Sequence, residues 1–129
     1  MISVMIVEDQ TIVREGLVRL LQFSSAITVV GHACNGKEAL ELLDGLAPDV
    51  VLLDIQMPVM DGFDFLHAGQ QICANSSRPF PRVILLTTFA DRHYLQRGQQ
   101  MNVQGFLLKD VCFEELVLAI QRVHAGENL

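Results

Sequence analysis

Five short apolar runs along the chain alternate with segments whose apolar residues recur at helical spacing. The runs extend over about Ser3 to Val7, Ile27 to Ala33, Val50 to Leu53, Val83 to Leu86 and Gly105 to Leu108. Because they lack the strict alternation of half-exposed strands, they indicate strands that are covered on both faces, as in parallel sheets. Parallel strands need crossover connections, so the order of strands and helices predicts a doubly wound α/β fold rather than a barrel, which needs about eight such units.

The helical segments carry local signals for their ends and for their packing. The fourth, from about Arg92 to Met101, has few apolar positions, chiefly Tyr94 and Leu95, which indicates loose packing. Asn102 follows this helix, and asparagine is among the few residues that tolerate a left-handed conformation at a helix end. Asp61 stands where a side-chain cap of the third helix is expected. These signals agree with the boundaries that the apolar pattern predicts.

Composition and charge limit what the domain can bind. With 129 residues, half of them hydrophobic and 19% charged, the chain has the size and core-forming capacity of one globular domain. We assign residues 1–124 to this domain and residues 125–129 to the start of a linker or a chain end. The net charge of −6 disfavours direct DNA binding and contact with anionic membranes. No apolar stretch reaches membrane-spanning length and no secretory leader is evident, so we expect a cytoplasmic protein without a membrane partner.

Polar residues stand at the carboxyl ends of four of the runs. Glu8 and Asp9 follow the first, Asp54 the third, Thr87 the fourth and Lys109 the fifth. The carboxyl ends of parallel strands share one edge of a sheet, where open α/β sheets place their ligand sites. In the flavodoxin-like strand order 2-1-3-4-5, the first and third strands are neighbours, so their carboxylates should approach one another. We therefore expect these residues to form one site.

The residue types in this site indicate a magnesium ion and a phosphoryl group. Two carboxylates about 4 Å apart repel by roughly 4 kcal/mol at an effective dielectric constant near 20, so the cluster needs a cation. Oxygen ligands of this kind suit Mg²⁺. Lys109 and the hydroxyl of Thr87 would face the same space, and a phosphoryl group would bridge them and the metal. A carboxylate such as that of Asp54 can accept a phosphoryl group as a nucleophile.

The same residues, in the same order, closely resemble those of the receiver domains of two-component response regulators. The resemblance covers essentially the whole chain and is greatest to the amino-terminal receivers of the NarL/FixJ (LuxR-type) group. Its motifs are Glu8-Asp9, Asp54 followed by Ile55-Gln56-Met57-Pro58 and Asp61-Gly62, Thr87-Thr88, and Gly105-Phe106-Leu107-Leu108-Lys109-Asp110. Receivers have a flavodoxin-like (βα)5 fold with a five-stranded parallel sheet, so the resemblance implies the same topology as the apolar pattern.

The resemblance also implies a phosphoacceptor with a magnesium site. Asp54 would be the phosphoacceptor. Asp9 and Asp54 would bind Mg²⁺ together with the backbone carbonyl of Gln56, and Glu8 would act through a metal-bound water. The implied cofactor is therefore Mg²⁺.

Further residues would sense the phosphoryl group, again as the resemblance implies. Lys109 would pair with its oxygens, and Thr87 would donate a hydrogen bond to them. Phe106 would be the switch aromatic, which turns inward when Thr87 moves toward the phosphoryl group. Gln56 and Phe89 occupy positions that tune the lifetime of the acyl phosphate in this family.

The implied function is regulatory rather than enzymatic. A sensor histidine kinase would phosphorylate the domain, which would catalyse only its own phosphorylation and dephosphorylation and could form a homodimer once phosphorylated. The output would be a carboxy-terminal helix-turn-helix domain that controls transcription by binding DNA. The alternative is a standalone receiver that acts by protein docking or in a phosphorelay.

Two other classes of protein share part of the pattern and are disfavoured by particular residues. Phosphatases of the haloacid dehalogenase type need a second acid two residues after the nucleophile, and Gln56 cannot donate a proton there. Flavodoxin-like cofactor binders need a Gly-, Ser- or Thr-rich phosphate loop after the first strand, where this chain has Glu8-Asp9-Gln10. A regulatory phosphoacceptor is the better interpretation.

Overall fold

Alternating strands and helices make up the fold, which the computed structural model describes for residues 1–88 and 92–129. The strands found there are β1 (Ile2–Val7), β2 (Ile27–Ala33), β3 (Val50–Asp54), β4 (Arg82–Thr87) and β5 (Gly105–Leu108). The helices that follow them are α1 (Thr11–Leu21), α2 (Gly36–Leu46), α3 (Gly62–Asn75), α4 (Arg92–Gln100) and α5 (Phe113–His124). The strands pair in parallel in the order β2-β1-β3-β4-β5. The predicted flavodoxin-like (βα)5 topology is therefore confirmed.

The core lies in two layers, one on each face of the sheet. Successive residues of β3 point to opposite faces, so Val51 and Leu53 pack in one layer and Val50 and Leu52 in the other. The first layer is covered by α2, α3 and α4, and the second by α1 and α5. This double coverage explains why the strand sequences are continuously apolar.

Side-chain caps begin two of the helices, and the one at Asp61 was predicted from the sequence. The Asp61 side chain accepts a hydrogen bond from the Asp64 backbone nitrogen at 2.9 Å, which caps α3. Asn35 caps α2 in the same way through the Glu38 nitrogen. After α4, Asn102 adopts the expected left-handed conformation, with φ of 62°.

The helices differ in how much of their surface they bury. Helix α4 has Gly98 as its single buried residue among those described, which agrees with its sparse apolar pattern. Helix α5 buries Leu116, Ile120 and Val123 against the second layer. Within the described ranges, no helix has both the length and the apolar character needed to cross a bilayer.

At their carboxyl ends, β3 and β4 each extend one residue further than the apolar pattern predicts, and β1 and β4 each begin one residue earlier. We expected β3 to end near Leu53 and β4 near Leu86, with Asp54 and Thr87 just after them. In the structure, Asp54 pairs within the sheet with Leu86, and Thr87 is the last residue of β4. Backbone pairing does not depend on side-chain polarity, so a polar residue can close a buried strand. The side chains of Asp54 and Thr87 therefore start from positions held by the sheet.

Reciprocal hydrogen bonds join β1 to the start of β3 at the opposite, amino-terminal edge. Asp49 Oδ2 accepts from the Ser3 nitrogen at 2.9 Å, and the Asp49 nitrogen donates to Ser3 Oγ at 2.9 Å. The bond from the Ser3 nitrogen holds the pKa of Asp49 below its ordinary value, although partial burial opposes this. The ionised carboxylate therefore stabilises the folded state.

We expect Asp49→Asn to lower the free energy of unfolding by about 1 kcal/mol at neutral pH, because a charged acceptor is replaced by a neutral one. A carboxyl group with a depressed folded pKa stabilises the fold above its unfolded pKa, near 3.9, and loses that contribution as pH falls through the folded pKa. The difference from the wild type should therefore shrink below about pH 4. Urea unfolding of both proteins at neutral and acidic pH measures this difference in the free energy of unfolding, and the exposed Asp64→Asn serves as the control variant. A difference that does not change with pH would contradict the prediction.

Candidate functional site

A cleft of about 250 Å³ opens at the carboxyl edge of the sheet. The ends of β1, β3, β4 and β5 supply its walls, because each strand delivers a polar residue to the same edge. The lining residues are Asp9, Gln10, Asp54, Gln56, Thr87, Thr88 and Lys109. The structure thus brings the predicted metal, phosphoacceptor and phosphoryl-binding positions together around one space.

Three carboxylates meet at this cleft. Glu8, Asp9 and Asp54 each place one oxygen within 4.8 Å of the others. Glu8 is 1% exposed and Asp54 4% exposed, whereas Asp9 is half-buried. At such separations, two unit charges repel by roughly 3 to 4 kcal/mol at an effective dielectric constant near 20. The cluster is stable only if cations or protons offset this repulsion.

The ammonium group of Lys109 offsets part of the negative charge. Its Nζ lies 2.9 Å from Glu8 Oε2 and 3.1 Å from Asp54 Oδ2. Burial alone would lower the pKa of Lys109, but the hydrogen bond to Glu8 and the charge of Asp54 outweigh it and raise that pKa. Lys109 therefore stays protonated and is in place to contact an anion attached to Asp54.

The surroundings of Asp54 raise the pKa of its carboxyl group, so a cation bound nearby would change its protonation. Burial raises the pKa of Asp54 to about 7; the charge of Glu8 adds to the rise and Lys109 opposes it. The backbone nitrogen of Ile55 donates to Asp54 Oδ1 at 2.8 Å and so orients the group. A further cation in the cleft would favour the ionised form, which is the nucleophilic one.

Gly62 allows the loop after β3 to fold back against Asp54. The Gly62 nitrogen donates to the Ile55 backbone oxygen at 2.8 Å. A Cβ atom at this position would press on the Asp54 backbone oxygen and lie 3.1 Å from Ile55 Cα. Because these are backbone atoms, no side-chain rotation could relieve the contact. Glycine is therefore required to bring the first turn of α3 so close to Asp54.

The donor atoms in the cleft fit a magnesium ion. Glu8 Oε2 is buried, and its contact among the described residues is the Lys109 ammonium group at 2.9 Å. A carboxylate oxygen has two acceptor sites, so one of them remains for a metal ion or its water. Glu8, Asp9 and Asp54 together offer carboxylate oxygens without thiolate or imidazole, the environment that Mg²⁺ prefers.

The remaining predicted residues lie at different distances from the cleft. Thr87 ends β4 beside the cleft. The backbone oxygen of Thr87 accepts a hydrogen bond from the backbone nitrogen of Lys109 at 2.7 Å. Phe106 lies outside the cleft; it is half-buried on β5, in register with Leu85 of β4, and packs against the first core layer. Phe89, predicted to tune the acyl phosphate lifetime, lies outside the described residues.

The sequence-based prediction missed two contacts of the site. One is the direct contact of Glu8 with Lys109, beside which the role of Glu8 through a metal-bound water stays a prediction. The other contact involves Tyr94 of α4, whose hydroxyl accepts a hydrogen bond from Gln56 Nε2 at 2.6 Å. The signal available in the sequence is that Tyr94 is the one tyrosine of the chain and lies on a mostly polar helix. Nothing in the pattern connects it with Gln56.

Known sequences similar to this chain are regulators. The response regulator receiver domain family matches residues 4–121. The transcriptional regulatory protein LnrK of Bacillus subtilis (strain 168) is 41% identical over 126 residues, which cover 98% of this chain and 55% of LnrK. The chain thus spans little more than half the length of the curated relatives it matches.

Solved structures share the fold over nearly the whole chain. A DNA-binding response regulator of the LuxR family from Staphylococcus aureus is 31% identical with a TM-score of 0.85, covering 96% of this chain and 99% of that one. The chemotaxis protein CheY4 of Vibrio cholerae is 32% identical with a TM-score of 0.83, covering 95% of this chain and 98% of CheY4. The sequence comparisons and the structure comparisons therefore both find relatives that match nearly the whole chain.

Proposed function

Because the chain belongs to the response regulator receiver domain family, we propose that it accepts a phosphoryl group on Asp54 from a sensor histidine kinase. The observation that supports this is the position of Asp54, buried at the carboxyl edge of the sheet with Lys109 Nζ 3.1 Å from its Oδ2. Asp9 and Thr87 line the same cleft. The domain is a regulatory phosphoacceptor, and phosphorylation changes the surface that it presents to an output.

Phosphoryl transfer uses groups that already surround Asp54. An oxygen of Asp54 attacks the phosphorus and forms an acyl phosphate, while the phosphorus–nitrogen bond of the kinase phosphohistidine breaks and returns its electron pair to the imidazole. Lys109, now paired with Asp54, is close enough to pair with the phosphoryl oxygens after transfer. Thr87 donates its hydroxyl hydrogen to another of these oxygens.

The acidic residues would hold Mg²⁺ for this reaction. Asp9 and Asp54 would bind it with the backbone carbonyl of Gln56, and Glu8 would act through water. When bound, the ion neutralises charge on the phosphoryl oxygens and among the carboxylates. The buried Glu8 Oε2 contacts the Lys109 ammonium group and keeps a second acceptor site, which supports a water-mediated role.

The modification would reach the surface through Thr87 and Phe106. Adding about 1.5 to 2 negative charges to Asp54 creates charge-assisted hydrogen bonds that draw the Thr87 hydroxyl toward the phosphoryl group. Thr87 is in register with Leu108 of β5, two residues from Phe106, so its movement alters the space beside that ring. Phe106 is half-buried and can turn into this space, which changes the face formed by α4, β5 and α5.

The output we favour is transcriptional control through a carboxy-terminal helix-turn-helix domain. The supporting observation is that LnrK is a transcriptional regulatory protein and that the structural relative from S. aureus is a DNA-binding regulator of the LuxR family. A net charge of −6 leaves contact with DNA to another domain. A homodimer formed on phosphorylation is compatible with this output. The alternative is a standalone receiver, because the match to the chemotaxis protein CheY4 covers 98% of the CheY4 chain.

The test of the phosphoacceptor function is the intact mass of the protein after incubation with acetyl phosphate and Mg²⁺. We expect one added phosphoryl group per chain, which hydroxylamine removes and which does not form when EDTA replaces Mg²⁺. A chain that gains no labile adduct under these conditions would contradict the proposal.

Loss of one carboxylate should weaken the metal site. We expect Asp9→Asn to reduce the affinity for Mg²⁺ by roughly tenfold or more, because a charged ligand becomes a neutral amide. Isothermal titration with MgCl₂ measures this effect. Asp64→Asn removes an exposed carboxylate from α3 and should leave the affinity unchanged. Equal affinities of the two variants would show that Asp9 does not bind the ion.

A further inference from the structure

We infer that Tyr94 is a positioning residue that prolongs the phosphorylated state by holding the Gln56 side chain away from the reacting phosphoryl group. The inference rests on the proposed function of Asp54. It concerns the bridge between Gln56 and Tyr94, in which Gln56 Nε2 donates to Tyr94 Oη at 2.6 Å.

Gln56 is the movable member of the bridge. It is exposed, lies in the loop that follows β3, and lines the cleft above Asp54. Among the described residues, Tyr94 is the one hydrogen-bond partner of its side chain. Without that bond, the amide could rotate into the cleft, since an exposed long side chain has several accessible rotamers.

Tyr94 is the fixed member of the bridge. Its ring centroid lies 6.0 Å from that of Phe63, a residue of α3 that is 2% exposed and belongs to the first core layer. One turn along α4, the Arg97 guanidinium lies 4.2 Å from the centroid of the same Phe63 ring. The phenol oxygen is therefore positioned by the packing of α4 on α3. Its hydrogen bond determines where the Gln56 amide points.

The direction of the Gln56 amide matters for hydrolysis of the acyl phosphate. In that reaction a water oxygen attacks the phosphorus, the bond to the Asp54 oxygen breaks with its electron pair returning to the carboxylate, and the water proton passes to solvent as inorganic phosphate leaves. A nearby amide can orient the attacking water, as a glutamine does in some GTPases. By keeping the Gln56 amide against α4, Tyr94 withholds this assistance and slows the reaction.

Tyr94→Phe tests the inference because it removes the hydroxyl and keeps the ring against Phe63. The protein is phosphorylated with acetyl phosphate and Mg²⁺, the donor is removed, and the decay of the phosphorylated mass is followed. We expect decay about two- to tenfold faster than in the wild type, the range that loss of one hydrogen bond gives. In a Gln56→Ala background, Tyr94→Phe should leave the decay rate unchanged.

Tyr94→Leu separates positioning from packing. It lacks both the hydroxyl and the ring, so it should match Tyr94→Phe in decay rate but melt at a lower temperature, whereas Tyr94→Phe should melt with the wild type. Unchanged or slower decay in Tyr94→Phe would overturn the inference, as would equal acceleration in the Gln56→Ala background. Failure of the proposed function has a different outcome, because the wild type would then gain no phosphoryl group to lose.

Discussion

The Asp54→Asn protein is expected to gain no phosphoryl group from acetyl phosphate and Mg²⁺, under conditions that label the wild type. The amide is neutral and its nitrogen lone pair is delocalised, so the side chain is not a nucleophile toward phosphorus. The substitution preserves the volume of the side chain and removes one charge from a crowded acidic cluster. Lys109 keeps Glu8 as an ion-pair partner. We therefore expect the variant to fold and to lose its reactivity, together with part of its affinity for Mg²⁺, since Asp54 is also a proposed metal ligand.

Asp110→Asn is the matched control for this experiment. Asp110 is exposed and adjacent in sequence to Lys109, so its replacement removes the same charge close to the site without altering the cleft lining. It should be labelled to the same extent as the wild type. Labelling of Asp54→Asn at wild-type stoichiometry would mean that another residue accepts the phosphoryl group, and peptide mapping would locate it.

Gly62→Ala is expected to cause a large loss of stability for a change of one methyl group. The added Cβ would press on the Asp54 backbone oxygen and on Ile55, and neither can move without displacing the end of β3. Overpacking of this kind costs about 1 to 3 kcal/mol. Because the displaced residue, Asp54, is the proposed phosphoacceptor, we also expect slower labelling by acetyl phosphate. Urea unfolding followed by circular dichroism measures the stability.

Gly16→Ala provides the opposite case within the same fold. Gly16 lies within α1, and a Cβ there would meet no atom within 4 Å. Alanine in a helix is favoured over glycine by about 0.5 to 1 kcal/mol, so this variant should be more stable than the wild type. If Gly62→Ala behaved like Gly16→Ala, the close approach of the loop to Asp54 would be disproved.

Most of the fold was predictable because both faces of the sheet are covered. Residues such as Val50 and Val51 enter different core layers, so the strands leave a continuous apolar run in the sequence. The same regularity made the convergence of Asp54 and Lys109 predictable, since their strands end at one edge. The predicted carboxyl ends of β3 and β4 were one residue too short. The prediction followed the apolar residues, whereas the backbone pairing of the sheet continues through the polar residues Asp54 and Thr87.

The bridge between Gln56 and Tyr94 was not predictable for a different reason. It depends on the rotation of α4 about its axis, and a helix with so few apolar positions does not specify that rotation in its sequence. In the folded protein, the contacts of Tyr94 and Arg97 with the Phe63 ring determine the rotation of α4. Likewise, the ion pair of Glu8 with Lys109 joins residues that are 101 positions apart and depends on side-chain rotamers within the cleft.

The walls of the cleft come from the ends of four different strands, so the proposed reactive centre exists only while β1, β3, β4 and β5 are assembled in one sheet. Uptake of a phosphoryl group would therefore measure the natively folded fraction of a sample, and acetyl phosphate could be used to follow refolding without any fluorescent label. In a cell, a copy of the protein in which any of these four strands is displaced would accept no phosphoryl group and would therefore not activate the output.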